Sequence, residues 1–229
     1  MEKKNLIVFD IDGTLTQSVA IHQLAFIQAL KNMSVTQIDT NFKAYKHHTD
    51  SYIAKEIYET DKQVHFSEAQ VNEFEKHLYN LICSQHIEEI SGAKRMVEFL
   101  ENETDYGVCY ATGSLRTPAE YKLNSIGVAY AKNQLTASNT ILDREGIVQQ
   151  AINKAQAFYN VDQFNQIVSV GDGLWDLHTA RHLDLGFIGI GGNKDVLLEH
   201  GARHYYPDFK ELIGARFATF NFALAQIKE

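Results

Sequence analysis

The sequence predicts an α/β fold, in which a Rossmann-like parallel sheet core has helices on both faces and carries an inserted α-helical cap. Three observations predict this fold. Four short apolar segments end in polar or glycine-rich turns, segments with helical periodicity separate them, and residues 16–90 contain neither glycine nor proline. Continuous apolar strands are typical of a parallel sheet that is buried on both faces. We therefore predict a core domain of residues 1–15 and 91–229 and a cap domain of residues 16–90.

The four predicted strands are short, apolar and partly β-branched. They comprise residues 6–9, 108–111, 167–170 and 187–190. The carboxyl ends of parallel strands meet at one edge of the sheet, where ligands bind in folds of this kind. Asp10, Thr112 and Asp172 come at or just after the ends of the first three strands. We therefore expect these side chains to converge.

Apolar residues recur with helical spacing in the segments between the strands. Residues 93–100 and 147–158 predict helices before the second and third strands. Within the predicted cap, helical periods at residues 19–30, 51–58 and 71–82 indicate about four helices.

Composition excludes several classes of protein. Of the 229 residues, 29 are acidic and 21 basic, and no basic cluster indicates a nucleic-acid site. No apolar run approaches the roughly 20 residues of a membrane helix, and the amino terminus lacks the apolar segment of a secretory signal. Cys83 and Cys109 have no metal-type spacing. We expect a cytoplasmic protein, a monomer or homodimer, without nucleic-acid or membrane partners.

Asp10 and Asp12 lie two residues apart directly after the first strand, on the same face of an extended segment. Paired carboxylates suit a divalent cation, because hard cations prefer oxygen ligands. They also suit attack by one carboxylate and proton transfer by the other. Surface turns favour Asp and Gly as well, but a turn that follows a buried strand favours a functional site.

Thr112, Gly113 and Ser114 follow the second strand and precede a predicted helix. Their hydroxyl and backbone N–H groups could bind a phosphate group, helped by the positive end of the helix. An ordinary strand-to-helix turn explains the same residues equally well.

Asp172 follows the third strand, and Asp176 comes four residues later. Residues at this spacing lie on one face of a helix, so both carboxylates can face one cation. Helix capping by Asp172 would explain one aspartate but not both. We therefore predict Asp10, Asp12, Asp172 and Asp176 as the metal site.

Together these segments resemble the motifs of the haloacid dehalogenase superfamily, whose hydrolases use an aspartate nucleophile. The resemblance spans essentially the whole chain. The matching positions are Asp10-x-Asp12-Gly13-Thr14, Thr112-Gly113 and Gly171-Asp172-Gly173-x-x-Asp176. The helical insert resembles the cap of the phosphoglycolate-phosphatase-like and β-phosphoglucomutase-like members.

The third motif of this superfamily is a single basic residue, which either Arg144 or Lys154 could supply. Helices that follow parallel strands begin near the active-site edge and run away from it. Lys154 lies ten residues beyond Arg144, which is roughly 15 Å along a helix. The geometry favours Arg144, with Lys154 as the alternative.

The resemblance implies a Mg²⁺-dependent phosphatase that acts on a small phosphorylated metabolite. Asp10 would attack phosphorus to form an aspartyl-phosphate, while Asp12 would protonate the leaving oxygen and then activate water. Mg²⁺ would be held by Asp10, the backbone carbonyl of Asp12, and Asp172, with Asp176 as ligand or orienting group. An acid at Asp12 argues against a dehalogenase, because a halide leaves without protonation.

The predicted cap contains candidate substrate residues. His48, Thr49 and Asp50 form a polar junction that could face the phosphate, although Thr49 and Asp50 equally resemble a helix N-cap. His22 and Gln23 are further candidates, with exposure to solvent as the alternative.

Three other functions remain open at this point. A phosphomutase of the same superfamily would use the same aspartyl-phosphate, and a non-catalytic metabolite-binding protein could retain the fold. The glycines of residues 189–192 suggest a dinucleotide-binding oxidoreductase, although the required glycine spacing is absent.

Overall fold

The computed structural model describes residues 2–214, which form a six-stranded parallel sheet surrounded by helices. The strands are β1 (Asn5–Phe9), β2 (Tyr106–Ala111), β3 (Leu135–Thr136), β4 (Gln166–Gly171), β5 (Gly186–Ile190) and β6 (Tyr205–Tyr206). They lie in the order β3-β2-β1-β4-β5-β6, which confirms the predicted Rossmann-like sheet. Residues 215–229, which the sequence assigns to the core domain, lie outside the described residues.

Helices occupy the connections between strands. The helices of the described residues are α1 (Val19–Asn32), α2 (Asp50–Lys62), α3 (Glu68–Ile82), α4 (Ala93–Glu103), α5 (Arg116–Ser125), α6 (Arg144–Tyr159), α7 (Leu174–His182), α8 (Lys194–Glu199) and α9 (Phe209–Gly214), with single 3₁₀ turns at Phe42–Ala44 and Lys132–Gln134. No helix in this part of the chain is long and apolar enough to cross a membrane.

The central strand β1 is apolar throughout because both of its faces are covered. Leu6 and Val8 pack in one apolar cluster with the buried stripe of α6, whereas Ile7 and Phe9 pack in another with α4. Successive side chains of a strand point to opposite faces, so an alternating polar pattern would place polar groups in a core.

The register between neighbouring strands aligns their carboxyl ends. Phe9 lies opposite Tyr110 of β2 and Val170 of β4. The residues that follow β1, β2 and β4 therefore emerge at the same edge of the sheet.

Residues 16–90 contain three α-helices, α1, α2 and α3, and one 3₁₀ turn, where the sequence predicted about four helices. Between α1 and α2 the chain forms only the 3₁₀ turn Phe42–Ala44. There the side chain of Asp39 accepts a hydrogen bond from the backbone N–H of Asn41 at 2.8 Å. Such a local bond favours a turn over a helix. The division of the chain into core and cap domains stays a prediction.

Insert helix α3 packs against core helix α5. The Glu75 carboxylate accepts hydrogen bonds from the backbone N–H of Thr117 and from the Asn139 side chain, both at 2.7 Å. The Tyr121 hydroxyl donates to the carbonyl of Gln85 at 2.9 Å. These contacts position the insert over the edge of the sheet where β1, β2 and β4 end.

Candidate active site

Asp10 follows β1 and is 7% exposed. Its backbone N–H donates to the carbonyl of Val170 at 2.9 Å, so the sheet fixes the backbone at this position. Its side chain accepts a hydrogen bond from Arg144 Nη2 at 2.9 Å. Burial raises the pKa of Asp10 to about 7, because the positive charge of Arg144 only partly offsets the loss of water and the nearby Asp176.

Arg144 is the first residue of α6, and it is buried although it is charged. The Asp143 side chain caps this helix by accepting the backbone N–H of Gly146 at 2.7 Å. The guanidinium pairs with Asp10 and with Asp176. Burial disfavours its charge, but these two carboxylates outweigh burial and raise the pKa of Arg144.

Lys154 lies in the middle of α6 and lines neither of the cavities described below. It is half-buried, and burial followed by the charge of Arg116 lowers its pKa. The structure thus brings Arg144, and not Lys154, to Asp10.

Three carboxylates converge beside Arg144. One oxygen of each of Asp10, Asp172 and Asp176 lies within 4.8 Å of the others. Asp172 Oδ1 is buried and has no hydrogen-bond partner. Burial, with Asp176 and Asp10 adding to it, raises the pKa of Asp172 to about 9. A divalent cation would supply the missing partner and relieve this repulsion, so the group fits a hard divalent cation.

Two glycines allow the loops to approach Asp172. Gly13 and Gly192 have φ angles of 81° and 59°, a backbone region that side chains rarely adopt. A Cβ atom on Gly13 would collide with the carboxylate of Asp172, and one on Gly192 would collide with its carbonyl. These residues bring the ends of β1, β4 and β5 together.

Asp12 lies apart from the carboxylate group. Its Oδ2 accepts a hydrogen bond from Lys122 Nζ at 2.8 Å, and its Oδ1 accepts one from the Ser18 hydroxyl. Burial alone would raise the pKa of Asp12, but Lys122, with His22 and Ser18, lowers it to about 2. The Asp12 carboxylate is therefore not part of the metal-ligand cluster, and its backbone carbonyl stays a predicted ligand.

Lys122 was absent from the sequence prediction. It is fully buried on α5, where Ala119 and Leu123 are also buried. The available signal was a lysine at a stripe position of the helix, three residues after Ala119 and four residues before the buried Ile126. It does not show which acid the lysine meets.

The Thr112-Gly113-Ser114 turn is closely packed. The Thr112 hydroxyl accepts the Ser114 backbone N–H at 3.0 Å. A Cβ atom on Gly113 would lie 2.5 Å from the His48 carbonyl oxygen and 2.9 Å from Arg144 Nη1, so only glycine fits between the insert and the arginine. All three residues line the same cavity as Asp10 and Asp12.

The amino-terminal end of α5 contacts carboxylates of the insert. Asp50 of the insert accepts the backbone N–H of Leu115 at 3.0 Å, and Glu75 accepts that of Thr117. The helix dipole attracts these carboxylates. The positive end of α5 therefore binds the insert, and help from this helix to a phosphate group stays a prediction.

The three predicted cap residues have distinct environments. Thr49 is the N-cap of α2, and its Oγ1 accepts from the Tyr52 backbone N–H at 3.3 Å. Both carboxylate oxygens of Asp50 are occupied, by His22 at 2.8 Å and by Leu115. The His48 ring lies 5.1 Å from the Trp175 ring, and a contact of any of the three with substrate stays a prediction.

The chain matches the haloacid dehalogenase-like hydrolase family over residues 4–184. It belongs to that family. No curated protein matches the sequence.

Solved structures show the same fold at low sequence identity. CbbY from Rhodobacter sphaeroides, in complex with phosphate, is 16% identical, and the match covers 91% of this chain and 96% of CbbY with a TM-score of 0.69. A predicted phosphoglycolate phosphatase from Haemophilus somnus is 18% identical over 94% of this chain and 98% of its own, with a TM-score of 0.64. A family IA hydrolase from Entamoeba histolytica is 18% identical over 100% of both chains, with a TM-score of 0.71.

Membership of a hydrolase family also removes the reason to invoke a dinucleotide at residues 189–192. Gly191 and Gly192 both have positive φ angles, and Gly192 lies against Asp172. These glycines support the acidic site of the hydrolase.

Two adjoining cavities lie between the insert and the sheet edge. The smaller, about 180 Å³, is lined by the catalytic candidates Asp10 and Asp12 together with apolar side chains such as Phe26 and Phe42. The larger, about 640 Å³, opens beside it over Trp175. His22 and Gln23 line the smaller cavity, although Gln23 is also exposed to solvent, and a contact of either residue with substrate stays a prediction.

Proposed function

We propose that this hydrolase is a Mg²⁺-dependent phosphatase that cleaves a small phosphorylated metabolite through an aspartyl-phosphate on Asp10. The observation that carries the proposal is the separation of two aspartates in one cavity. Asp10 lies with Arg144, Asp172 and Asp176, whereas Asp12 is held independently by Lys122. Neighbouring carboxylates in different environments can take different chemical roles.

In the first step, an Asp10 oxygen forms a bond to phosphorus while the bond from phosphorus to the leaving oxygen breaks. Arg144 contacts Asp10 and can offset the charge of the incoming phosphate group. Bound Mg²⁺ would supply further positive charge at the phosphoryl oxygens, held by Asp10, Asp172 and the backbone carbonyl of Asp12, with Asp176 as ligand or orienting group.

Asp12 transfers the protons. A phosphate dianion nearby raises the pKa of a carboxyl group by like-charge repulsion, which favours a proton on Asp12 before the leaving oxygen departs. Asp12 is then a carboxylate, the form that can accept a proton from the water that attacks the aspartyl-phosphate, and its low resting pKa of about 2 means that it is ionised at neutral pH. Inorganic phosphate and free Asp10 are the products.

The small cavity and the insert above it support a small substrate. The cavity of about 180 Å³ at Asp10 and Asp12 adjoins the cavity of about 640 Å³ at Asp172, and pockets in this range hold small molecules. The phosphate in the CbbY structure agrees with phosphate binding by this fold.

We propose residues 16–90 as the cap domain over a core of residues 1–15 and 91–229. A cytoplasmic location and a monomeric or dimeric state stay predictions.

The test is a panel of small phosphate esters with MgCl₂, in which released inorganic phosphate is measured. We expect Asp10→Asn to lower turnover by about 10⁴-fold or more, because it removes the nucleophile. Asp195→Asn is the matched control, since Asp195 is exposed on α8. Retained turnover in Asp10→Asn would reject the nucleophile.

The same panel separates the two alternatives. Phosphate release without an added sugar bisphosphate supports a phosphatase over a phosphomutase. Ester binding without turnover in the wild type would instead indicate a non-catalytic binding protein.

A further inference from the structure

Lys122 is a buried cation that the catalytic steps above do not use directly. Its side chain is 0% exposed, and it lines neither cavity. Its Nζ lies 2.6 Å from Asp12 Oδ1 and 2.8 Å from Asp12 Oδ2. A buried charge costs free energy unless it is paired and hydrogen-bonded. An apolar residue would fit the buried stripe of α5 without this cost, so the presence of a lysine here calls for an explanation.

The remaining contacts of Lys122 lead to the insert. Nζ lies 2.9 Å from His22 Nδ1 and 3.4 Å from Ser114 Oγ. An ammonium group only donates hydrogen bonds, so Nδ1 of His22 accepts. Nε2 of a neutral His22 then carries the proton and donates to Asp50 Oδ1 at 2.8 Å.

Asp50 connects these contacts back to the core through two hydrogen bonds. Its second oxygen accepts the backbone N–H of Leu115 at 3.0 Å, and its own N–H donates to the carbonyl of Gly113 at 2.8 Å. Lys122 and Leu115 belong to the core, whereas His22 and Asp50 belong to helices α1 and α2 of the insert. Contacts across this boundary form only when the insert lies against α5.

We propose that Lys122 is a positioning residue, which holds the Asp12 carboxylate in its proton-transfer geometry and is itself oriented by the His22–Asp50 pair of the insert. This inference rests on the proposed function, because it assigns Lys122 to the acid–base group of that reaction. Lys122 acts through its contact with Asp12 and does not contact the substrate. Docking of the insert completes its set of partners, so the acid–base group is fully ordered when the site is covered.

The role predicts a dependence on the leaving group. Phenol is a poorer leaving group than p-nitrophenol and depends more on protonation by Asp12. A misplaced Asp12 should therefore slow the cleavage of phenyl phosphate more than that of p-nitrophenyl phosphate. A lysine that only stabilised the fold would change both rates alike.

The experiment compares wild type, Lys122→Met, Asp12→Asn and the double variant in single-turnover reactions with these two esters and MgCl₂. We expect Lys122→Met to lower the phenyl phosphate rate by about 10²-fold, and to lower the p-nitrophenyl phosphate rate less. Lys122→Met should cause little further loss in the Asp12→Asn background, because both changes disable the same group. Equal losses with both esters, or losses that multiply in the double variant, would overturn the inference.

Lys122→Arg is the second variant, in case Lys122→Met does not fold, because arginine keeps a positive charge beside Asp12. Thermal unfolding establishes that each variant is folded. In folded Lys122→Arg we expect an intermediate loss that is again larger for phenyl phosphate, and wild-type rates with both esters would count against positioning. If wild type and Asp10→Asn are equally inactive with both esters, the proposed function itself fails, whereas an active wild type with multiplying losses rejects only the role of Lys122.

Discussion

Asp10 and Asp12 are two residues apart, yet they occupy opposite electrostatic environments. Burial, with the nearby Asp176 adding to it, raises the pKa of Asp10 to about 7 despite Arg144, whereas Lys122 outweighs burial and lowers the pKa of Asp12 to about 2. Asp10 belongs to a group that requires added positive charge, and Asp12 belongs to one that already contains it. The difference suggests how one turn can supply both a metal-linked nucleophile and an independent acid–base group.

Among changes to the surroundings of the two aspartates, the largest effect is expected beside Asp10. Arg144→Ala should lower kcat by about 10²–10³-fold, because it removes the buried cation that contacts Asp10. Lys154→Ala should leave kcat near the wild-type value, since Lys154 is half-buried in the middle of α6. Steady-state phosphate release measures both.

Thermal unfolding must accompany the Arg144 measurement, because loss of one partner of a buried ion pair also destabilises a fold. Arg144→Lys keeps the charge and serves as the second variant. A larger loss in Lys154→Ala than in Arg144→Ala would reverse the assignment of the basic residue.

A smaller effect is expected on the thermal stability that depends on Asp10, Asp172 and Asp176. Without metal, the pKa values of Asp10 and Asp172 are about 7 and about 9, above their ordinary value of 3.8. Their contribution to stability is therefore fully present below about pH 4 and is lost as the pH rises towards 9. We expect MgCl₂ to raise Tm more at pH 8.5 than at pH 6. At a hundredfold excess over Kd the gain is about 2.7 kcal/mol, or roughly 5–10 °C.

Asp172→Asn should remove most of this Mg²⁺ effect and raise the Tm of the metal-free protein at pH 8.5, because it eliminates one of the repelling charges. Asp195→Asn should respond to MgCl₂ as the wild type does. An undiminished Mg²⁺ effect in Asp172→Asn would show that the cation binds elsewhere.

The smallest effect tests the Asp12 environment. Ser18→Ala removes a buried hydroxyl that donates to Asp12 but leaves Lys122 in place. A hydrogen bond to a charged group contributes about 1.5 kcal/mol or more, so Tm should fall by roughly 3–6 °C. Ser125→Ala is the control, because its hydroxyl is exposed and bonds only to a carbonyl in its own helix. Equal Tm values for the two variants would show that Ser18 adds nothing to the Asp12 environment.

The sequence predicted the main strands well because their signals are local. Strands β1, β2, β4 and β5 each coincide with an apolar segment, within one or two residues at either end. Strands β3 and β6 have two residues each and were not predicted, because so short a segment has no measurable pattern.

The contacts of the insert were harder to predict. Thr49 could be proposed as an N-cap from its residue type and position, and the structure confirms the cap. The pairing of Asp50 and Glu75 with the start of α5 depends on how the insert packs against the core, and no local pattern encodes it.

The sequence by itself determined which acids meet at the edge of the sheet, because short apolar strands place whatever follows them at their carboxyl ends. Only the tertiary structure decided the partner of each acid. Lys122 lies 110 residues from Asp12 along the chain but in direct contact with it in space. Electrostatic interaction depends on distance and burial and not on sequence separation, so the charge environments of Asp10 and Asp12 exist only in the folded chain.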